Sequence, residues 1–106
     1  MVIKYFTLKA AQPDQIFTEI MYEIASARSD RAELVRIDFQ AGRGKKFIDT
    51  TIRVLKKMKT EGRIQFFATK DSFSSLNTEA VFLQNKYPEY FASPVSSEGE
   101  LIYIKL

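Results

Sequence analysis

The passage from Leu34 to Thr60 limits the fold most, because a strand pattern, a glycine turn and a helix pattern meet there without a break. Leu34-Val-Arg-Ile-Asp-Phe39 alternates, with Val35, Ile37 and Phe39 on one side and Arg36 and Asp38 on the other, as in a strand with one buried face. Gln40-Ala-Gly-Arg-Gly-Lys-Lys46 follows. Two glycines separated by one residue permit backbone angles closed to other residues, so the chain can turn sharply there. Phe47, Ile48, Ile52, Leu55 and Met58 then recur at helical spacing, with Lys46, Arg53, Lys57 and Thr60 on the opposite side. Gly62 is the expected helix stop. A half-buried strand turning directly into an amphipathic helix points to an α/β fold.

The flanking sequence repeats that logic. Val2 to Lys9 is rich in β-branched and aromatic residues and reads as a first strand. Pro13 suits the first position of a helix, where a missing N–H costs nothing, and Asp14 suits the first turn. The helix is expected to reach about Ala27, with Ile16, Ile20 and Ile24, joined by Phe17 and Met21, on its buried face. Ile64 to Thr69 reads as a third strand and Leu101 to Leu106 as a last one. Between them, Asn77 or Thr78 can cap a short helix carrying Val81, Phe82 and Leu83 and ending before Pro88, and Ser93 to Gly99 is loop by composition. The expected fold is a two-layer α/β sandwich, β-α-β-α-β-(α)-β, in which two main helices cover one face of a small mixed four-stranded sheet. Residues 1–106 are expected to form a single domain with an inserted helical excursion at about 71–99.

Absent residue types narrow the chemistry. Without cysteine there is no disulfide, no thiolate nucleophile and no sulfur ligand for a metal. Without histidine the commonest general base and metal ligand are missing too. The acids Asp14, Glu19, Glu23, Asp38 and Asp49 show no metal-cage spacing, and Asp38 and Asp49 are expected to pair with Arg36 or Arg53. No enzymatic activity, cofactor or metal is expected. No apolar run approaches the roughly 18 residues of a membrane span, and the start lacks a signal-peptide layout, so a cytoplasmic protein is expected.

Charge is unevenly placed. Between Gln40 and Arg63, eight basic and two acidic residues give +6, and because the whole chain carries +3 the remainder carries −3. A basic element on a slightly acidic body is an electrostatic footprint. Gly42-Arg43-Gly44 with Lys45 and Lys46 brings backbone N–H groups, a helix start and cations together, which is a recipe for holding a phosphate. The same residues equally describe a tight strand-to-helix turn with solvated charges. Arg53, Lys56, Lys57 and Lys59 likewise read as a backbone-contacting face or as a solvated one. Phe66, Phe67, Phe73, Phe82, Tyr87, Tyr90 and Phe91 can be core, interface or a stacking surface for bases.

Leu8-Lys9-Ala-Ala-Gln-Pro13 leading into the first helix, Phe39-Gln-Ala-Gly-Arg-Gly44 after the second strand, and the helix from Lys46 through Ile48, Asp49 and Ile52 resemble the Alba superfamily. Within it they are most similar to the stage V sporulation protein S family. The matches cover roughly residues 2–69 and the last strand, and the chain departs from that pattern between Asp71 and Gly99. The small MutS-related endonuclease domain has a similar element order, but its motifs bear histidine. The resemblance implies a dimer that binds DNA or RNA through basic loops ahead of each helix. Carried onto this chain, it implicates Lys9 before the first helix and Arg43, Lys45 and Lys46 before the second; the expected interface also takes in Gly42 and Gly44 of the turn and Arg53 and Lys57 on the helix. The alternative expectations are a regulatory or scaffolding protein that docks a protein partner through residues 71–99, and a small-anion or nucleotide sensor that uses the glycine turn.

Overall fold

The computed structural model describes residues 3–40, 42–69, 72, 77–90 and 101–106. In chain order they form β1 (Ile3–Leu8), α1 (Pro13–Ser29), β2 (Leu34–Phe39), α2 (Lys45–Thr60), β3 (Phe66–Thr69), α3 (Thr78–Lys86), a short 3-10 turn (Pro88–Tyr90) and β4 (Leu101–Lys105). Val2, the loop expected at Ser93–Gly99, Phe73 and Phe91 lie outside the described residues, as does the side chain of Tyr90.

The four strands make one mixed sheet in the order β1-β2-β4-β3. β1 runs parallel to β2, with Ile3 opposite Leu34 and Leu8 opposite Phe39, while β4 is antiparallel to both of its neighbours. It follows that β1, β2 and β3 point the same way. Both strand-to-helix connections therefore leave from the same edge of the sheet, the carboxyl ends of β1 and β2. That placement puts the starts of α1 and α2 side by side.

One sheet face is covered by α1 and α2. Ile16, Ile20, Ile24 and Ala27 from α1 and Leu55 and Met58 from α2 meet Leu8, Val35, Ile37, Ile102 and Ile104 in one buried cluster. Each fully buried isoleucine contributes about 1.5–3 kcal/mol, so this layer is the main source of stability. Thr51, buried within α2, is satisfied by donating to the Phe47 carbonyl at 3.0 Å. Lys4 ties β1 to α1 through Ser26 (2.6 Å) and Asp30 (2.8 Å). These layers make the two-layer α/β sandwich anticipated from the strand and helix periods.

The third helix sits elsewhere. α3 packs beside β3 and sets Leu83, with Tyr87 just after it, among Ile3, Leu34, Ala68, Leu101 and Tyr103 on the other sheet face. The apolar run Val81-Phe-Leu83 is split by this geometry: Leu83 and Ala80 turn inward, whereas Val81 and Phe82 remain exposed. β3 begins at Phe66 rather than Ile64, and α1 continues to Ser29. No helix among the described residues is long and apolar enough to cross a membrane.

Candidate nucleic-acid interface

The glycine turn at the carboxyl end of β2 uses its two glycines differently. Gly42 takes φ 85°, a left-handed conformation that strains any other residue, and the next N–H, from Arg43, donates to the Gln40 carbonyl at 3.3 Å. Gly44 takes φ −75° and ψ 162°, open to every residue, and serves as the N-cap of α2. A Cβ there would meet nothing within 4 Å, so backbone geometry does not require the glycine. Its chemical effect is to leave α2 without a side-chain cap. The first turn of α2 also holds Lys45 and Lys46 and no acid, an arrangement that opposes the helix dipole.

Arg43 does not stand free. Its Nη2 donates to the carbonyls of Lys9 (3.1 Å) and Ala10 (2.8 Å), and its guanidinium lies 3.8 Å over the Phe47 ring. Phe47 in turn meets Phe39 edge-on at 5.9 Å. The residue singled out as a phosphate contact is thus a strap that binds the β1–α1 connection to the β2–α2 connection. Sequence periodicity holds no signal for this, because the accepting carbonyls come from the other loop.

The remaining cations fall into two groups. Lys45 pairs with Asp49 at 3.1 Å, and Lys59 pairs with Glu79 of α3 at 3.2 Å. Asp49 therefore takes Lys45 rather than Arg53, whereas Asp38 takes Arg36 as expected, at 2.7 Å. The ammonium groups of Lys46, Lys56 and Lys57 have no polar partner among the described residues, and the Arg53 side chain donates to the Thr50 hydroxyl (3.0 Å). Spacings of seven and four residues put Lys46, Arg53 and Lys57 on one solvent-facing stripe of α2. Lys9 is exposed at the end of β1. Its N–H donates to Glu19 at 2.9 Å and its carbonyl accepts from Arg43, but its ammonium has no partner among the described residues.

Two recesses flank this stripe. A shallow channel of about 590 Å³ runs along α2 beside Lys46, Ile52, Arg53 and Lys56. The second, about 450 Å³, lies between the starts of α1 and α2 and is lined by Pro13, Ile16, Arg43, Lys46, Phe47 and Thr50, with Ala11 and Gly44 at its margin. Pro13, Ile16, Phe47 and Thr50 carried no functional signal in the sequence; only the parallel pairing of β1 with β2 brings them together.

The opposite end of β2 holds a second polar cluster. The Tyr87 hydroxyl donates to Glu33 at 2.6 Å. That hydrogen bond, with the nearby Lys86 and Lys105 charges, holds the Glu33 carboxyl below the usual carboxylate range. Burial first, and the Glu33 bond second, push the Tyr87 phenol well above its ordinary value. On the sheet face shared with α3, Arg36 lies 4.3 Å over the Tyr5 ring. No group of three or more metal-ligating side chains occurs among the described residues.

Comparison with protein-family models, curated proteins and solved structures finds no match for this chain.

Proposed function

We propose that this domain binds DNA or RNA without catalysing a reaction, by contacting the phosphate backbone along α2 and at the adjoining glycine turn. Lys46, Arg53 and Lys57 carry the proposal: three solvent-facing cations on one stripe, none paired with an acid among the described residues. At about 1.5 Å rise per residue the stripe extends roughly 16 Å, a length that spans several phosphates of a strand. The uncapped start of α2 and the ammonium of Lys9 extend it at the sheet edge. Arg43 acts here by holding the two loops together, with its Nη2 committed to the loop carbonyls. The motifs that resemble the Alba superfamily point the same way, and with them a homodimer in the cytoplasm. Contacts of this kind confer affinity but carry no base information directly, so sequence preference is weak.

Fluorescence anisotropy of labelled duplex DNA, single-stranded DNA and RNA at several salt concentrations tests the proposal. Wild type is compared with a Lys46→Ala, Arg53→Ala, Lys57→Ala triple variant of matched thermal stability. The expected result is salt-dependent binding that the variant loses, with a duplex salt slope shallower by about 0.9 for each lost phosphate contact. Failure to bind any strand at low salt overturns it.

A second reading, docking of a protein partner through α3, is favoured by one observation: Val81 and Phe82 are exposed side by side, with the Phe82 ring edge-on to Phe66 at 5.6 Å. Val81→Ser with Phe82→Ser is expected to abolish partner capture there while leaving nucleic-acid binding intact, and unchanged capture overturns that reading.

A further inference from the structure

The recess between the two helix starts differs in its lining from the channel along α2, which includes Asp49. Its walls are apolar at Pro13, Ile16 and Phe47, its rim carries Lys46 and the Thr50 hydroxyl, and its lining includes two cations and no carboxylate. One side is closed by Arg43, whose guanidinium is fixed by the Lys9 and Ala10 carbonyls and lies 3.8 Å over the Phe47 ring. At about 450 Å³ the space is in the range of small-ligand sites. Flat apolar walls beside an arginine plane suit a nucleobase, which stacks on aromatic rings and on guanidinium groups alike. The missing carboxylate and the adjacent lysine suit an anionic strand.

Building on the nucleic-acid reading above, we propose that this recess receives one unstacked base of a single strand against the Arg43–Phe47 pair, with the flanking phosphate on Lys46. A duplex keeps its bases in the helical stack and can use only the phosphate stripe. The domain therefore prefers single strands to duplexes, and Arg43 contributes to that preference by holding the wall in place.

The test is anisotropy at fixed salt with three probes of equal length: a single strand, the same strand with abasic residues throughout, and the duplex. Each is titrated with wild type and with two recess-filling variants at a solvent-accessible position, Ala11→Trp and Ala11→Phe, checked for folding by circular dichroism. Wild type is expected to bind the base-bearing strand about tenfold more tightly than the abasic strand, the size of one stacking contact. In the filled variants that ratio is expected to fall towards one while the salt slope is kept. Equal wild-type affinity for the base-bearing and abasic strands overturns the base recess and leaves the phosphate reading standing. A folded filling variant that retains the tenfold ratio overturns it as well. Absence of binding to all three probes overturns both.

Discussion

At the amino end of β2, the Glu33 carboxylate accepts from the Tyr87 hydroxyl and its carbonyl from the Leu106 N–H, whereas at the carboxyl end the chain turns into a helix with no side-chain cap. The first end satisfies its polar groups internally. The second places Lys45 and Lys46 against the positive end of the α2 dipole and leaves the leading N–H groups without a side-chain acceptor. The start of α1 shows that this chain can build a proper helix start. There Pro13 occupies the first turn, Asp14 matches the dipole, and the Gln15 side chain accepts from the N–H groups of Ala11 (3.3 Å) and Gln12 (3.2 Å). Two neighbouring helix starts at one sheet edge thus follow opposite rules. The difference is one of local stability: the start of α1 is matched to its dipole and the start of α2 is not.

The largest effect is expected from cutting the strap that joins them. Arg43→Ala removes two charge-assisted hydrogen bonds and the stack on Phe47, and is expected to cost about 2–3 kcal/mol. Arg43→Lys keeps the charge but lacks the planar fork, so most of the loss persists. Urea denaturation of both variants checks this, and a lysine variant as stable as wild type would show that charge alone suffices.

At the closed end, Tyr87→Phe is expected to cost about 1 kcal/mol for the lost hydrogen bond. Its pH signature is more diagnostic. The Glu33 pKa is lowered on folding, so its contribution is present above the unfolded value and lost as pH falls through the folded one. The Tyr87 pKa is raised, so its contribution is complete below about pH 10, where an unfolded tyrosine titrates, and declines as pH rises beyond it. Thermal melts across acid and alkaline pH should show wild type losing stability at both extremes and Tyr87→Phe flattening both limbs. Parallel profiles for the two proteins would dismiss the pair as a source of pH dependence.

These cases also show what the residues disclose before folding. Pro13 at the start of α1, Asn77 (one of two candidate caps) closing α3 through a 2.9 Å bond from the Ala80 N–H, and Gly62 at φ 75° after α2 were legible, because each acts within one turn of chain. The alternation of β2 and the stripes of α1 and α2 were legible for the same reason. The Arg43 strap and the recess beside it depend on carbonyls and side chains from a loop about 33 residues away in sequence, joined only when β1 pairs with β2. The orientation of α3 was hidden because Val81, Phe82 and Leu83 are consecutive and do not define a face. Arg31 was hidden for a third reason. The end of α1 closes as α2 does, with the residue after the cap in the left-handed region and the following N–H, from Ala32, donating to the Ala27 carbonyl at 2.9 Å. At the end of α2 the same bond runs from Arg63 to Met58, also at 2.9 Å. One helix uses glycine at φ 75° and the other uses arginine at φ 59°, so nothing in the residue type announces the second turn. Arg31→Gly is expected to stabilise the fold by about 0.5–1 kcal/mol, because the strain removed exceeds the entropy added to the unfolded chain. A shift of the urea midpoint in the other direction would show that the arginine side chain contributes contacts of its own.

The smallest change in stability should be the most informative about the open end. Gly44→Asp adds the missing cap to α2 in a backbone conformation aspartate adopts freely, with no atom within 4 Å of the new Cβ. A better acceptor and a negative charge at the helix start are together expected to stabilise the fold by about 0.5 kcal/mol. The same carboxylate occupies the position where a phosphate is proposed to sit, and it repels an anionic strand. Stability and affinity are therefore expected to move in opposite directions, with a higher denaturation midpoint and weaker binding whose deficit against wild type widens as salt is lowered. Gly44→Ser separates the two causes, since it caps without charge: it should keep most of the stabilisation and lose less of the binding. If Gly44→Asp gains stability and binds nucleic acid as wild type does, the uncapped start of α2 is outside the interface and the contacts lie along the Lys46–Lys57 stripe alone.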